Sequence, residues 1–301
     1  MSNVIEVQGL TKRFGSLVAV DDISFAVQRG EIFGLLGKNG AGKTTTVEIL
    51  EGYQSGDAGT VRVLGVNPRD GGGAWKDRIG LVLQDSDFDP GHTVAETVSL
   101  FAGFFSRPKS VSETLELVGL SDKANVRIGR LSSGQRRRVD VALGIIGSPE
   151  LLFLDEPTTG FDPSARREFW TMLEGLRSTG TTILLTTHYM EEAQHLCDRI
   201  AILATGKIVA EGTSSTLIAL SGTTSVRFVN DDSIDVDALS SATHISLHVT
   251  GDMVNAELSN AQEDLLRLLQ YCEQSGLVLD GLEVVRPTLD DVFLDVTGEH
   301  S

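Results

Sequence analysis

Apolar and polar positions follow two rhythms along this chain, and the first predicts strands. Glu31-Ile32-Phe33-Gly34-Leu35-Leu36 is a short apolar run leading into a glycine-rich loop, after which Lys43 to Leu50 reads as a helix. Leu151-Leu152-Phe153-Leu154 and Thr181 to Thr187 read as two more buried strands. Short apolar runs separated by helical segments mark βαβ units in a parallel sheet. Ala201-Ile202-Leu203 and Lys207-Ile208-Val209 flank Thr205-Gly206 and predict a hairpin. The second rhythm is helical and occupies roughly residues 92–147: Val94, Val98 and Phe101 recur on one face, as do Leu115 and Val118 before Gly119. The composition shifts near residue 212, where Gly212-Thr213-Ser214-Ser215 and Ser221-Gly222-Thr223-Thr224 flank a short apolar helix. Beyond it, Ser225–Val229, His244–Val249 and Val254–Leu258 read as strands and Ala261 to Tyr271 as an amphipathic helix. Leu277 to Val285 reads as a strand or two, and Thr288 to Val296 as a closing helix. The expected organisation is a domain at 1–220 and a smaller α+β domain at 222–301, without repeats or low-complexity tracts.

Composition narrows the function classes. The 301 residues, 41% of them hydrophobic, suffice for two cores. A formal charge of −17 argues against a nucleic-acid binder, which needs a positive footprint, and against electrostatic attachment to an anionic membrane. Cys197 and Cys272 are far apart and lack metal-ligand spacing, which reads as two incidental thiols. Met1 to Glu6 has neither a basic nor an apolar segment, so no signal peptide is expected. No run approaches the roughly 18 apolar residues of a membrane span, so direct insertion is not expected and any membrane association would come through a partner.

The chemistry is concentrated in two places. Gly37-Lys38-Asn39-Gly40-Ala41-Gly42-Lys43-Thr44 matches G-x-x-x-x-G-K-[ST] at every position, and Thr45 extends it. Glycines let successive N–H groups wrap a phosphate, and the following helix turns its positive end to the anion. Lys43 would reach the outer phosphate oxygens, and the Thr44 hydroxyl would be a Mg²⁺ ligand. A plain glycine-rich turn is the bland alternative; the strand before the loop and the helix after it favour the phosphate cradle. Leu151 to Leu154 then leads into Asp155-Glu156, two carboxylates at the end of a strand where α/β sheets bind ligands. Asp155 is placed to hold Mg²⁺ and Glu156 to polarise an attacking water. No guanine-reading Asn-Lys-x-Asp is present, which disfavours a GTPase.

Leu131-Ser132-Ser133-Gly134-Gln135, ahead of Asp155 and before a helical stretch, decides among the remaining classes. With it, residues 4–212 resemble the ABC ATPase family, whose signature is Leu-Ser-Gly-Gly-Gln. The resemblance implies an α/β P-loop NTPase (RecA-like) core, an N-terminal antiparallel β subdomain and a helical signature subdomain, with ATP and Mg²⁺ as ligands. It implies that Phe14 stacks on adenine, although alone such a residue is more often core. By the same matching, Gln84 would contact Mg²⁺ and the water, and His188 would contact the γ-phosphate. Asp162, in Gly160-Phe161-Asp162, matches a loop crossing the dimer interface, and it also reads as an N-cap before Pro163. Ser132, Ser133, Gly134 and Gln135 of one copy would cover the nucleotide on another, so the site implies a head-to-tail homodimer. Three departures stand out: Lys38 where Pro is usual, Ser133 where Gly is usual and positive φ would be costly, and Phe161 for Leu.

Arg286-Pro287-Thr288-Leu289-Asp290-Asp291-Val292-Phe293-Leu294-Asp295-Val296-Thr297-Gly298 and Gln135-Arg136-Arg137-Arg138-Val139-Asp140 resemble the ATPase subunits of ABC-2-type exporters, including the daunorubicin-resistance group. That implies a separate integral-membrane permease and a place on the cytoplasmic face of the cell membrane, with export of a drug, antibiotic or lipid-like molecule as the work. The rival is a soluble ABC-type switch ATPase acting on a non-transport partner.

Overall fold

The computed structural model describes residues 2–82, 88–219, 224–231 and 234–297. Two compact units divide the chain between Ser214 and Ser215.

In the first unit, β1 (Asn3–Phe14) pairs antiparallel with β2 (Leu17–Gln28) and β4 (Ala58–Val63), forming a three-stranded sheet of order β2-β1-β4. A six-stranded sheet has the order β5-β6-β7-β3-β8-β9. Its strands are β3 (Ile32–Leu36), β5 (Ile79–Val82), β6 (Leu151–Asp155), β7 (Thr182–Thr187), β8 (Arg199–Ala204) and β9 (Lys207–Gly212). All neighbours are parallel except the β8–β9 hairpin, turned at Thr205 and Gly206, both at positive φ as a tight two-residue turn demands. Every residue of β3 and β7 is buried; β3 is an unbroken apolar run, whereas β7 buries Thr182, Thr186 and Thr187 with its three aliphatic residues. The helices are α1 (Lys43–Leu50), α2 (Gly73–Lys76), α3 (Val94–Ala102), α4 (Val111–Leu117), α5 (Ser133–Ile145), α6 (Pro163–Ser178) and α7 (Met190–Leu196); α8 (Ser214–Ile218) lies at the division. One apolar cluster spans both sheets: Phe25 of β2 stacks on Phe33 of β3 with ring centroids 5.5 Å apart.

The second unit runs β10 (Ser225–Val229), α9 (Val236–Thr243), β11 (Leu247–Thr250), β12 (Met253–Glu257), α10 (Ala261–Ser275), β13 (Glu283–Val285) and α11 (Leu289–Thr297). Its antiparallel sheet has the order β11-β12-β10-β13, so the βαββαβ sequence makes a ferredoxin-like layer. Val226, Phe228, Val254 and Ala256 alternate onto the buried face and meet Leu239 and Leu268.

Two expectations need correction here. Only Glu283–Val285 of the apolar stretch Leu277–Val285 is a strand; Leu277, Leu279 and Leu282 pack against the unit's core from irregular chain. The strand expected from His244 begins at Leu247, because His244 ends α9 in the left-handed region at φ 57°.

Phe153, central in β6 and 1% exposed, tests the parallel core. Phe153→Ala should destabilise the first unit by about 3–5 kcal/mol, read as a lower denaturant midpoint.

Candidate active site

The phosphate loop is held from three sides. Gly37 N–H donates to Thr187 O (3.2 Å), and Gly206 N–H donates to Ala41 O (3.1 Å), tying the loop to β7 and to the β8–β9 turn. Gly42 has φ +104°, and a Cβ there would lie 2.4 Å from Ala19 O. Only glycine fits, and it delivers the chain directly into α1. Lys43 is 5% exposed. Its ammonium donates to Gly37 O (2.6 Å) and Lys38 O (3.2 Å) and lies 3.3 Å from Glu156 Oε1.

The two carboxylates of Asp155-Glu156 have different surroundings. Asp155 accepts a hydrogen bond from the Thr186 hydroxyl across the β6–β7 ladder. Glu156 follows the strand at φ +44°, a costly conformation for a residue with a side chain. Its N–H donates to Thr186 O (3.2 Å) and Thr186 Oγ1 (3.1 Å). Oε2 accepts from Thr159 Oγ1 (3.3 Å) and lies 3.2 Å from His188 Nδ1. The His188 contact is close but not aligned as an N–H···O bond, so it acts through charge when the imidazole is protonated. Burial by itself would raise the Glu156 carboxyl; the Lys43 ammonium and the His188 imidazole outweigh it and hold the group below its ordinary range.

A cavity of about 610 Å³ is lined by Phe14, Asn39, Gly40, Lys43, Thr44, Thr45 and Glu156, among others, while Asp155 and His188 are not part of its lining. Phe14 is 46% exposed, with Lys12 Nζ 5.2 Å from its ring centroid, so it is an open platform rather than a core residue. Among the described residues no cluster of three or more His, Cys, Asp or Glu is arranged to hold a metal. The oxygen donors Thr44 and Asp155 nonetheless suit Mg²⁺, which takes one or two protein oxygens and fills its shell with phosphate and water. Gln84 lies outside the described residues.

The structure does not bring Ser132–Gln135 or Asp162 to this cavity. Ser132 caps α5, and Ser132 and Gln135 exchange hydrogen bonds in a capping box (3.1 and 3.2 Å). Ser133 is the first residue of α5 and is absent from the positive-φ positions, so the strain expected of it does not arise. Gly134 has only Ala165 Cβ near its missing side chain, at 3.8 Å. Asp162 caps α6, accepting from Ser164 N (2.9 Å) and Ala165 N (3.0 Å). Thr186, which positions both carboxylates, carries no sequence signal beyond its place in a strand.

The chain matches the ABC transporter family model over residues 20–159. It is 38% identical to Nod factor export ATP-binding protein I of Ralstonia nicotianae, over 99% of this chain and 94% of the relative. The chain belongs to the ABC transporter family. A daunorubicin resistance ATP-binding protein, DrrA3 of Streptomyces coeruleorubidus, is 36% identical over 98% of this chain and 96% of its own length. Among solved structures, cbiO1 of Clostridium perfringens, part of an ABC transporter complex, aligns with TM-score 0.68 at 26% identity, covering 73% of this chain and 92% of that one. This member of the family is thus an ATP-binding and ATP-hydrolysing subunit. Subunits of this kind work with a membrane permease and dimerise, and among the described residues no helix is long and apolar enough to cross a membrane.

A second cavity, of about 490 Å³, contains none of the phosphate-loop residues. Glu51, which follows α1, lines it and is 8% exposed. Burial first, then the Asp155 and Glu48 carboxylates, push Glu51 up to about 8. A carboxyl raised from 4.5 in this way costs stability progressively as pH rises from its ordinary value towards the raised one. Glu51→Gln removes the charge, so its thermal advantage over wild type should be small near about pH 5 and largest at and above about pH 8. Melting curves at the two pH values measure it.

Proposed function

We propose that the chain is the ATPase subunit of an ABC-2-type exporter, two copies working on the cytoplasmic face of a separate permease. The observation that carries this reading is Glu156, which lines the phosphate-loop cavity together with Lys43 and is paired at once with Lys43 (3.3 Å) and His188 (3.2 Å). The names of the relatives, export of Nod factor and resistance to daunorubicin, support export of a small molecule as the coupled work. The exposed Tyr53, Leu100 and Phe104 support a partner surface, since Phe104 and Tyr53 line the second cavity and offer apolar area to a permease helix.

ATP enters with its adenine against Phe14 and its phosphates within the loop from Gly37 to Thr45. Lys43 exchanges Glu156 for phosphate oxygens, because the negative triphosphate is the stronger partner for a buried ammonium. Glu156, released from that pair, accepts a proton from the attacking water, with His188 Nδ1 3.2 Å from its Oε2. Thr44, Asp155 and Gln84 would hold Mg²⁺, whose charge offsets that of the phosphates. Ser132 to Gln135 of a second copy close the site with the N-terminal end of α5, where orphan N–H groups favour an anion. Asp162 would approach the same interface. Ser132 already caps its own helix, so its hydroxyl serves both partners.

Glu156→Gln should still bind ATP but hydrolyse it about 10²–10⁴-fold more slowly, and should accumulate an ATP-bound dimer on size exclusion. Rapid turnover by this variant excludes Glu156 as the base. Lys43→Ala should lose nucleotide binding outright. Purification with a membrane permease tests the exporter reading, and recovery with a soluble partner alone contradicts it.

The ferredoxin-like unit is assigned an accessory role in assembly or regulation. Removal of residues 222–301 should weaken dimer formation or export in vesicles reconstituted with the permease; unchanged dimerisation and export reject that assignment.

A further inference from the structure

The run Arg136-Arg137-Arg138 follows the signature on α5, and its middle residue turns inward. Arg137 is 7% exposed. Its guanidinium leaves α5 and reaches the end of β6: Nε donates to Pro157 O (3.0 Å) and Nη2 donates to Asp155 O (2.8 Å). Those two carbonyls stand on either side of Glu156. Nη1 faces the Asp140 carboxylate at 3.6 Å, one turn further along the helix. Arg138, by contrast, turns towards Val118 O and Glu168.

The geometry fits an unusual demand. Glu156 sits at φ +44°, and such a conformation persists only where its surroundings over-determine it. Thr186 of β7 fixes its N–H from one side. Arg137 fixes the flanking carbonyls from the other, and a rigid planar fork holds two acceptors in one fixed relative geometry, which an ammonium rotating on a flexible stem does not impose. Because the fork is rooted in α5, two residues after Gln135, the helix that begins with the signature and the turn that carries the carboxylate are tied by two hydrogen bonds from one side chain.

We propose that Arg137 is a positioning residue for the Glu156 carboxylate, transmitting the placement of the signature end of α5 to the hydrolytic group. The proposal rests on the reading of Glu156 as general base. Arg137 does not line the nucleotide cavity, so its loss should change turnover and not nucleotide capture.

The test uses the full chain with its permease and compares wild type with Arg137→Lys and Arg137→Gln. Steady-state kcat and KM for ATP, the Kd of a fluorescent ATP analogue and the melting temperature are measured. Both variants should lose at least about tenfold in kcat, because a small misplacement of a reacting group is costly, while KM and Kd stay within about twofold. Lysine keeps the positive charge beside Asp140 but lacks the fork, so a charge-balancing role would be rescued by Arg137→Lys; wild-type kcat in that variant overturns the proposal. Loss of nucleotide binding together with turnover also overturns it, since that is the mark of a collapsed fold. A double-mutant cycle supplies the second readout. In single-turnover reactions Arg137→Lys should cost little more on a Glu156→Gln background, and a full, additive loss there overturns the coupling. Wild-type turnover by Glu156→Gln with its arginine intact would instead remove the base assignment itself.

Discussion

The buried ammonium of Lys43 needs acceptors on every side, and satisfying it shapes the rest of the site. Taking a cation out of water is expensive unless its donors are all met. Gly37 O and Lys38 O meet two of them, which curls the phosphate loop back over its own lysine, and Glu156 supplies the third partner and the countercharge. The loop can curl only because Gly42 adopts a left-handed conformation against Ala19 O, where any side chain would collide. Glu156 in turn can reach Lys43 only from the end of β6. The parallel register that sets Asp155 beside Thr186 is therefore a condition of the same pair. Phosphate loop, strand order and carboxylate are three parts of one electrostatic arrangement, and a phosphate bound in the loop competes for the lysine that restrains the carboxylate.

The parts of this arrangement that lie in local sequence were legible there. The loop from Gly37 to Thr44 announces its backbone requirement through its glycines, and β3 and β6 announce their burial through the apolar runs Ile32–Leu36 and Leu151 to Leu154. The helix from Lys43 to Leu50 has the limits its pattern implies. The antiparallel sheet of β1, β2 and β4 was expected from family resemblance and not from periodicity, because its strands mix buried and exposed positions with register shifts that break simple alternation. Leu277 and Leu279 alternate like a strand while packing, with Leu282, as irregular chain, because period-2 patterning reports which side chains are buried and not whether a neighbouring backbone pairs with them. α9 has no clear periodic signal: Val236 to Thr243 contains two serines, one threonine and Asp237 among its eight residues, and its one strong mark is the Asp235 cap.

Site chemistry divides in the same way. Lys43, Asp155 and Glu156 are recognisable because their roles depend on residue type at a fixed spacing. The partners that hold them are distant in sequence: Arg137 acts on backbone carbonyls, and Thr186 on the Glu156 N–H as well as the Asp155 carboxylate, contacts for which no local pattern exists. Phe14 shows the limit from the other side: an aromatic after an alternating strand reads as core, and only its place at the open edge of the cavity makes it a platform.

The signature segment illustrates how one set of atoms can carry two duties. Ser132 and Gln135 lock the first turn of α5 by exchanging hydrogen bonds, which fixes the direction of the remaining N–H groups of that turn. Orphan donors with a fixed direction, in a helix whose dipole is positive at that end, form an anion site that costs no reorganisation when an anion arrives. Ser133 supports this in place of glycine because its backbone is helical there, so the side chain brings no strain and the N–H remains where a glycine would present it. Neither Ser132 nor Gln135 lines the cavity of its own chain, which fits the proposal that this turn serves a nucleotide held by another copy. In the proposed dimer a second copy presenting its own phosphate loop would give both halves a partner.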